Sequence, residues 1–189
     1  GFTVSVTPED VCPLIVLPKT WPEYFDLLDK KNRHELRRKL RRAGQNVDWY
    51  QVGPEHDIHE ETDRFLRLMA ASNLEKEDFL QNNQHRTFFH ALIALMAERG
   101  WLQLAFLTVE GEPAAAYLNF VYNNRVLVYT SGHDGTVHKE LSPGIVLLAR
   151  LIEHAIKEGC EVFDFLRGNE PYKYDLGGRD TVVYRMTVK

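Results

Sequence analysis

Apolar positions along the chain recur first with a helical period and later with a strand period. Residues 14–17 are a short apolar run closed by Pro18, which predicts an entering strand. Thr20 precedes Trp21 and Pro22, with Glu23 three residues on, a capping-box start for a helix. Tyr24, Leu28, Leu36, Leu40 and Ala43 then fall on a spacing of four, with Asn32 on the missing beat. One long helix ending at Gly44 accounts for that spacing. Residues 47–52 alternate like a strand and stop at Gly53-Pro54. Two helices are expected next, one with Phe65, Leu66, Leu68 and Met69 on its apolar face, the other with Phe88, Phe89, Leu92, Ile93 and Met96. The polar piece between them, residues 73–84, reads as loop or helix start.

From residue 102 the period is that of strands. Residues 102–109, 114–122 and 125–131 form a three-strand meander, turned by Glu110-Gly111-Glu112-Pro113 and by Asn123-Asn124. Ser142-Pro143-Gly144 opens a helix, with Ser as cap and Pro at the first helical position. Its stripe is Ile145, Leu148, Ile152, Ala155 and Ile156, and Gly159 ends it. Residues 161–166 form a strand reached over that helix, so it should run parallel to the strand before it. After a polar loop comes a last strand, 181–188, with Val182, Tyr184, Met186 and Val188 on one face. The order predicts an α/β (α+β) class: one mixed sheet with an antiparallel meander and helices on both faces.

Composition narrows the setting. The 189 residues, 44% hydrophobic, suit one domain over residues 1–189 that needs no disulfide or metal to be stable. Cys12 and Cys160 belong to no metal-spaced or paired motif and read as small buried hydrophobes, and the His residues form no metal-binding spacing. No segment has the roughly 18 unbroken apolar residues of a membrane span, and residues 1–13 lack a secretory pattern. The expected setting is soluble, reduced and cytoplasmic, with Gly1 in place of Met marking a processed chain or a piece of a longer one. Charge is uneven: residues 30–42 carry eight basic side chains and one acid, so with a total of −4 the rest of the chain carries −11. That asymmetry makes residues 30–42 a candidate contact for an anionic, phosphate-bearing ligand, against the plainer reading of a solvated face.

Three strings carry a resemblance: YTSGHD (129–134), LSPG (141–144) and FDFLRGNEPYK (163–173). With the basic helix they resemble the GNAT superfamily of acyltransferases, in its cellulose-biosynthesis-associated branch, related to the Fem-type aminoacyl transferases. The match runs from about Asn32 to Asp175. The resemblance implies the GNAT fold, with a parallel strand pair that splays apart to admit an acyl donor, usually acetyl-CoA or another acyl-CoA; the lack of a metal-spaced motif adds the expectation of no metal. It also implies that such domains occur in tandem, so the chain fits the C-terminal half of a longer protein.

Acyl transfer needs a deprotonated amine, donors for the carbonyl oxygen, and an acid for the leaving thiolate. The resemblance and the residues together place free N–H groups near Thr130, Ser131, Gly132 and His133, with ladder bonds lost near Ser131. Ser142 and Gly144 are candidates for the donor's phosphates at a helix start. The usual glycine-rich phosphate turn is replaced by His138-Lys139-Glu140 and a single glycine. A tRNA-linked donor is therefore the alternative to CoA, and a non-catalytic binding half of a tandem protein is a third reading. Asp164, a carboxylate in an apolar strand, is a candidate base or substrate anchor, or else a salt-bridge partner of Arg167 or Lys173. Tyr172 is the candidate acid and His133 a candidate base. Asn32, Arg33, Arg167, Glu170 and Lys173 are candidates for binding the acceptor, an amine of a small molecule, sugar or peptide. Acceptor identity, acyl length and oligomeric state carry no sequence signal.

Overall fold

A computed structural model describes residues 1–44 and 47–189. Its strands form one sheet in the order β2-β3-β4-β5-β6-β1-β7. The meander sits at its centre: β3 (Leu102–Val109), β4 (Glu112–Tyr122) and β5 (Arg125–His133), antiparallel throughout, with β2 (Val47–Gln51) on the outer edge of β3. Asn123 (φ 49°) and Asn124 (φ 57°) both take the left-handed conformation that a two-residue hairpin turn requires. Residues 45 and 46, read from sequence as the connection into β2, lie outside the described residues.

The expected single helix over residues 20–44 is two helices, α1 (Trp21–Leu27) and α2 (Lys30–Ala43). Leu28 is extended (φ −84°, ψ 143°), and Asp29 starts α2 by accepting from the Asn32 N–H at 2.8 Å. The missing beat at Asn32 is the first turn of a new helix, where the side chain returns to Asp29 Oδ2 at 3.0 Å. Residues read as loop or helix start contain α4 (Leu74–Gln81), between α3 (Ile58–Ser72) and α5 (Asn83–Glu98). The entering strand is much longer than its apolar run. β1 spans Val4–Val16, and its outer part, with Pro8 and few apolar residues, is strand because β7 (Arg179–Val188) pairs along it.

Each face of the sheet has its own core. On one side α6 (Pro143–Lys157) packs against the sheet, with α1 and α2 against α6, in one core that includes Ala105, Leu107, Ala115 and Val126. α6 is buried almost all round, including Val146, Leu147, Leu148, Leu151 and Ile152, because the sheet lies beneath it and α2 above. Each such aliphatic side chain contributes about 1.5–3 kcal/mol on burial. On the other side α3, α4 and α5 cover Leu104, Phe106, Ala116 and Leu118.

The apolar face expected on the last strand exists but faces solvent. Val182, Tyr184, Met186 and Val188 are all exposed, as are Val4 and Val6 across the ribbon. Alternation tells which residues share a face; whether a layer covers that face depends on distant elements. Cys12 and Cys160 are partly buried and unpaired.

Candidate functional site

The parallel pair of strands is short. β5 and β6 (Val162–Asp164) match at Arg125–Val162, Val126–Phe163 and Leu127–Asp164, and no further. Beyond this the two chains follow different neighbours. The β6 chain stays with β1: the Phe165 N–H donates to Pro13 O at 3.0 Å and the Gly168 N–H to Val11 O at 3.1 Å. β5 stays with β4, and its register shifts at Tyr129, where an extra residue forms a bulge that bends the strand. The expected seam is there, and it opens at Val128, before Ser131.

Two cavities meet in that seam. One, of about 310 Å³, opens toward α6 and is lined by His133, Lys139, Ser142 and Gly144. The other, of about 740 Å³, opens toward α4 and is lined by Cys12, Lys76, Thr130, Arg167, Glu170 and Lys173. Tyr117, Ser131 and Tyr172 line both.

The strand's edge at the seam follows from two contacts. Lys76 Nζ donates to Ser131 O at 2.6 Å, and the His133 N–H donates to Ser72 Oγ at 2.9 Å. In an antiparallel ladder a residue turns its N–H and C=O to the same edge, and residues two apart share that edge. Ser131 and His133 therefore face away from β4, and Gly132 faces β4. Ser131 N–H points into the seam, beyond the last β6 residue. Gly132 has a different constraint: a Cβ there would lie 2.4 Å from Met69 N and 2.6 Å from the Leu68 carbonyl carbon. Its missing side chain lets α3 approach β5.

The polar loop after β6 is ordered by buried charge. α7 (Pro171–Asp175) carries Tyr172 and Lys173 on a single turn. Lys173 is 2% exposed, and its Nζ donates to the carbonyls of Leu166, Arg167 and Gly168 at 3.3, 2.7 and 3.2 Å and pairs with Glu170 Oε2 at 2.9 Å. Burying an ammonium is costly unless its donors are satisfied, and here they are. Tyr172, partly buried, has its phenol pushed up to about 12, first by desolvation and then by the Glu170 carboxylate. It stays protonated at neutral pH. His133 stands at the mouth of the smaller cavity. Desolvation, and then the Lys76 ammonium, hold its imidazole below the ordinary 6.5, against a smaller opposing effect of Asp134.

Not every residue picked from sequence reaches the seam. Asp164 is buried, but its Oδ1 accepts from the Leu166 N–H at 2.8 Å and it lines neither cavity. It braces the turn at Leu166 (φ 55°), where the chain leaves β5. Among the described residues it pairs with neither Arg167, which meets Glu9 at 3.4 Å, nor Lys173. Asn32 and Arg33 lie at the far end of α2, where Arg33 bonds Leu28 O at 3.1 Å and borders a separate open cavity. Ser142 does not cap α6. It has φ 52°, and its Oγ accepts from Lys39 Nζ at 2.9 Å, so no side chain caps the first N–H groups of α6. Arg42 reaches Glu140 O at 3.1 Å, so the basic helix does come to this helix start, through its last turns.

Lys39, Ser72, Lys76 and Tyr117 were missed from sequence. Lys76 and Ser72 lie in or beside the stretch read as loop, and Tyr117 in a strand that reads as plain core. No local pattern distinguishes them.

Comparison with known proteins agrees with this fold. Residues 30–174 match the family model described as acetyltransferase (GNAT) domain. No match is found among curated proteins. Among solved structures, FemX superposes with a TM-score of 0.70 at 10% identity, over 93% of this chain and 60% of that one. The C-terminal domain of a putative lysylphosphatidylglycerol synthetase from Agrobacterium fabrum gives 0.65 at 12% identity, over 98% of this chain and 61% of that one. L-PGS from Bacillus licheniformis gives 0.63 at 13%, over 97% and 60%. The chain thus spans about three fifths of the length of these structures, and at such identities the likeness shows the fold.

Proposed function

Because the chain belongs to the GNAT acetyltransferase family, we propose that it is an N-acyltransferase that carries an acetyl or other acyl group from acyl-CoA to an amine, with donor and acceptor meeting in the seam between β5 and β6. The observation that carries this is the shared wall: two cavities, one beside the start of α6 and one beside α4, are both lined by Tyr117, Ser131 and Tyr172. A thioester in the smaller cavity and an amine in the larger one would meet beside one free main-chain donor.

The residues fit a CoA donor. Gly144 and Ile145, at the uncapped start of α6, offer N–H groups to the smaller cavity, and a side chain at Gly144 would meet nothing within 4 Å. A helix start of this kind suits a phosphate. Lys39 and Lys139 bring positive charge beside it, replacing part of what a glycine-rich turn would supply.

In the reaction, the nitrogen of the neutral acceptor amine attacks the acyl carbon while His133 takes the proton that the nitrogen sheds as the C–N bond forms. The carbonyl oxygen becomes negative and receives the Ser131 N–H. The carbon–sulfur bond breaks, and the thiolate takes the phenolic proton of Tyr172. Amide and thiol leave, and exchange with solvent returns the proton from His133 and restores the tyrosine. Arg167 and Glu170 line the acceptor cavity, and Lys173 holds its wall in shape.

Calorimetry with acetyl-CoA tests the donor, with an expected Kd of about 1 μM–1 mM. Turnover across a panel of amines tests the reaction. No heat and no thermal shift with any acyl-CoA would remove this reading. A second reading, aminoacyl transfer from charged tRNA, is favoured by one observation: Lys30, Lys31, Arg37, Arg41 and Arg42 remain exposed along α2. Binding of charged tRNA that weakens steeply with salt, without any response to CoA, would select it. Binding of either donor without turnover would mark a non-catalytic half of a tandem protein.

A further inference from the structure

Lys76 belongs to no motif of the chain, yet its ammonium closes one side of the seam. Both ends of the residue are fixed. Its N–H caps onto Asn73 Oδ1 at 2.9 Å in the first turn of α4, and its Nζ holds Ser131 O at 2.6 Å. Ser72, in the last turn of α3, does the matching work two residues along β5. It accepts from the His133 N–H at 2.9 Å and donates its own hydroxyl to Leu68 O at 3.0 Å. Two helices thus replace β6 as the neighbour of this edge, one side chain for each outward-facing residue. The carbonyl of Ser131 and the amide of His133 are satisfied, and the Ser131 N–H stays open.

We propose that Lys76 is a positioning residue for acyl transfer: by gripping the Ser131 carbonyl it fixes the unpaired edge of β5 so that the Ser131 N–H aims at the acyl carbonyl. The proposal rests on the transferase reading above and adds to it the residue that prepares the donor.

Physical chemistry favours a lysine here. A strand edge that has lost its ladder partner can rotate its peptide groups, and a donor that must reorient during the reaction stabilises less charge than one already in place. One hydrogen bond from a neutral group is a weak anchor; one from an ammonium is about twice as strong. Lys76 is also half-buried, and desolvation lowers its basicity, so its charge acts where water screens it poorly. That charge reaches a second member of the site. It opposes protonation of His133, whose ring is faced by Lys76 from α4, by Asp134 beside it, and by Tyr117, Lys139 and Tyr172 around the cavity. One cation thus holds the oxyanion donor and helps keep the base neutral.

The test compares wild type with Lys76→Met and Lys76→Arg, after thermal unfolding shows that both variants fold. With acetyl-CoA and the best amine of the panel, Lys76→Met should lower kcat about ten- to hundredfold, below the loss for deleting an oxyanion donor outright. KM for acetyl-CoA should change less than about threefold, and Lys76→Arg should recover most of the rate. Two NMR measurements need no turnover: the Ser131 amide resonance should move in Lys76→Met, and His133 should titrate at higher pH there but not in Lys76→Arg. Wild-type kcat in Lys76→Met overturns the proposal and leaves the transferase reading standing. So does a loss confined to KM for the amine, which would make Lys76 a substrate contact. An unmoved Ser131 amide overturns it as well. A wild type that transfers no acyl group from acetyl-CoA or charged tRNA overturns the transferase reading, and the positioning role with it.

Discussion

From Arg125 to Leu127, β5 lies between two strands, bonded to β4 on one edge and β6 on the other. From Val128 to His133 only β4 remains, and the second edge meets side chains of α3 and α4. The first stretch buries Val126 completely. The second carries a bulge, a glycine pressed against a helix backbone and an amide with no ladder partner. One strand thus serves two purposes, and the difference is set by the neighbour that leaves. Where both edges are paired the backbone contributes stability; where one neighbour departs, the same backbone keeps an edge without a ladder partner.

The largest effect should come from pushing the open stretch off its helix. In Gly132→Val the new side chain meets the backbone of Leu68 and Met69, which cannot move aside as a flexible side chain could. We expect a loss of about 3 kcal/mol or more. For a chain of this size that lowers the unfolding midpoint by roughly 6–12 °C. A midpoint equal to wild type would show that α3 does not lie against β5 as described.

Tyr172→Phe should come next. The phenol is held protonated, and under the proposed mechanism its loss removes the acid for the leaving thiolate. kcat should fall about a hundredfold, equivalent to roughly 2.7 kcal/mol, with unfolding unchanged. An unaltered kcat would take Tyr172 out of the chemistry. The paired stretch should respond in the opposite way. Val126→Ala empties space in a sealed region and should cost roughly 2 kcal/mol of stability while leaving kcat near wild type. A large fall in kcat there would mean that the two stretches are not separable.

The pH dependence of kcat/KM sharpens the same contrast. A base whose pKa is depressed is neutral, and active, above that pKa. The rate should therefore fall only as pH drops through a value below 6.5, and His133→Gln should abolish that limb. A limb at pH 7 or above would contradict the low basicity of His133. The smallest effect is expected from Lys39→Met, which removes a cation from the start of α6. KM for the donor should rise about fivefold with kcat retained. An unchanged KM would place the donor's phosphates elsewhere.

Much of the scaffold was legible because it rests on local rules. The meander follows from alternation and from Asn123-Asn124, and α6 from an apolar stripe after Ser-Pro-Gly. Ser131, Tyr172 and the parting of β5 from β6 came from recognisable strings around a known fold. Asp164 shows where that approach ends. A carboxylate among apolar residues looked like a catalytic group, and its place is the turn that sends the chain away from β5. The break between α1 and α2 depended on whether Asp29 would bend back to cap, which spacing does not reveal. Ser142 had the residue type of a cap, but Lys39, 103 positions away in sequence, occupies its hydroxyl.

By itself, the sequence determined the order of the strands and of most helices and which residues share a face. These depend on backbone periods and turn preferences that act within a few residues. Tertiary structure alone decided which edge lost its neighbour, which side chains took the place of that neighbour, and which apolar face stayed bare. Each of those outcomes joins residues tens of positions apart, and whether a main-chain group is paired depends on what arrives beside it after the chain has folded.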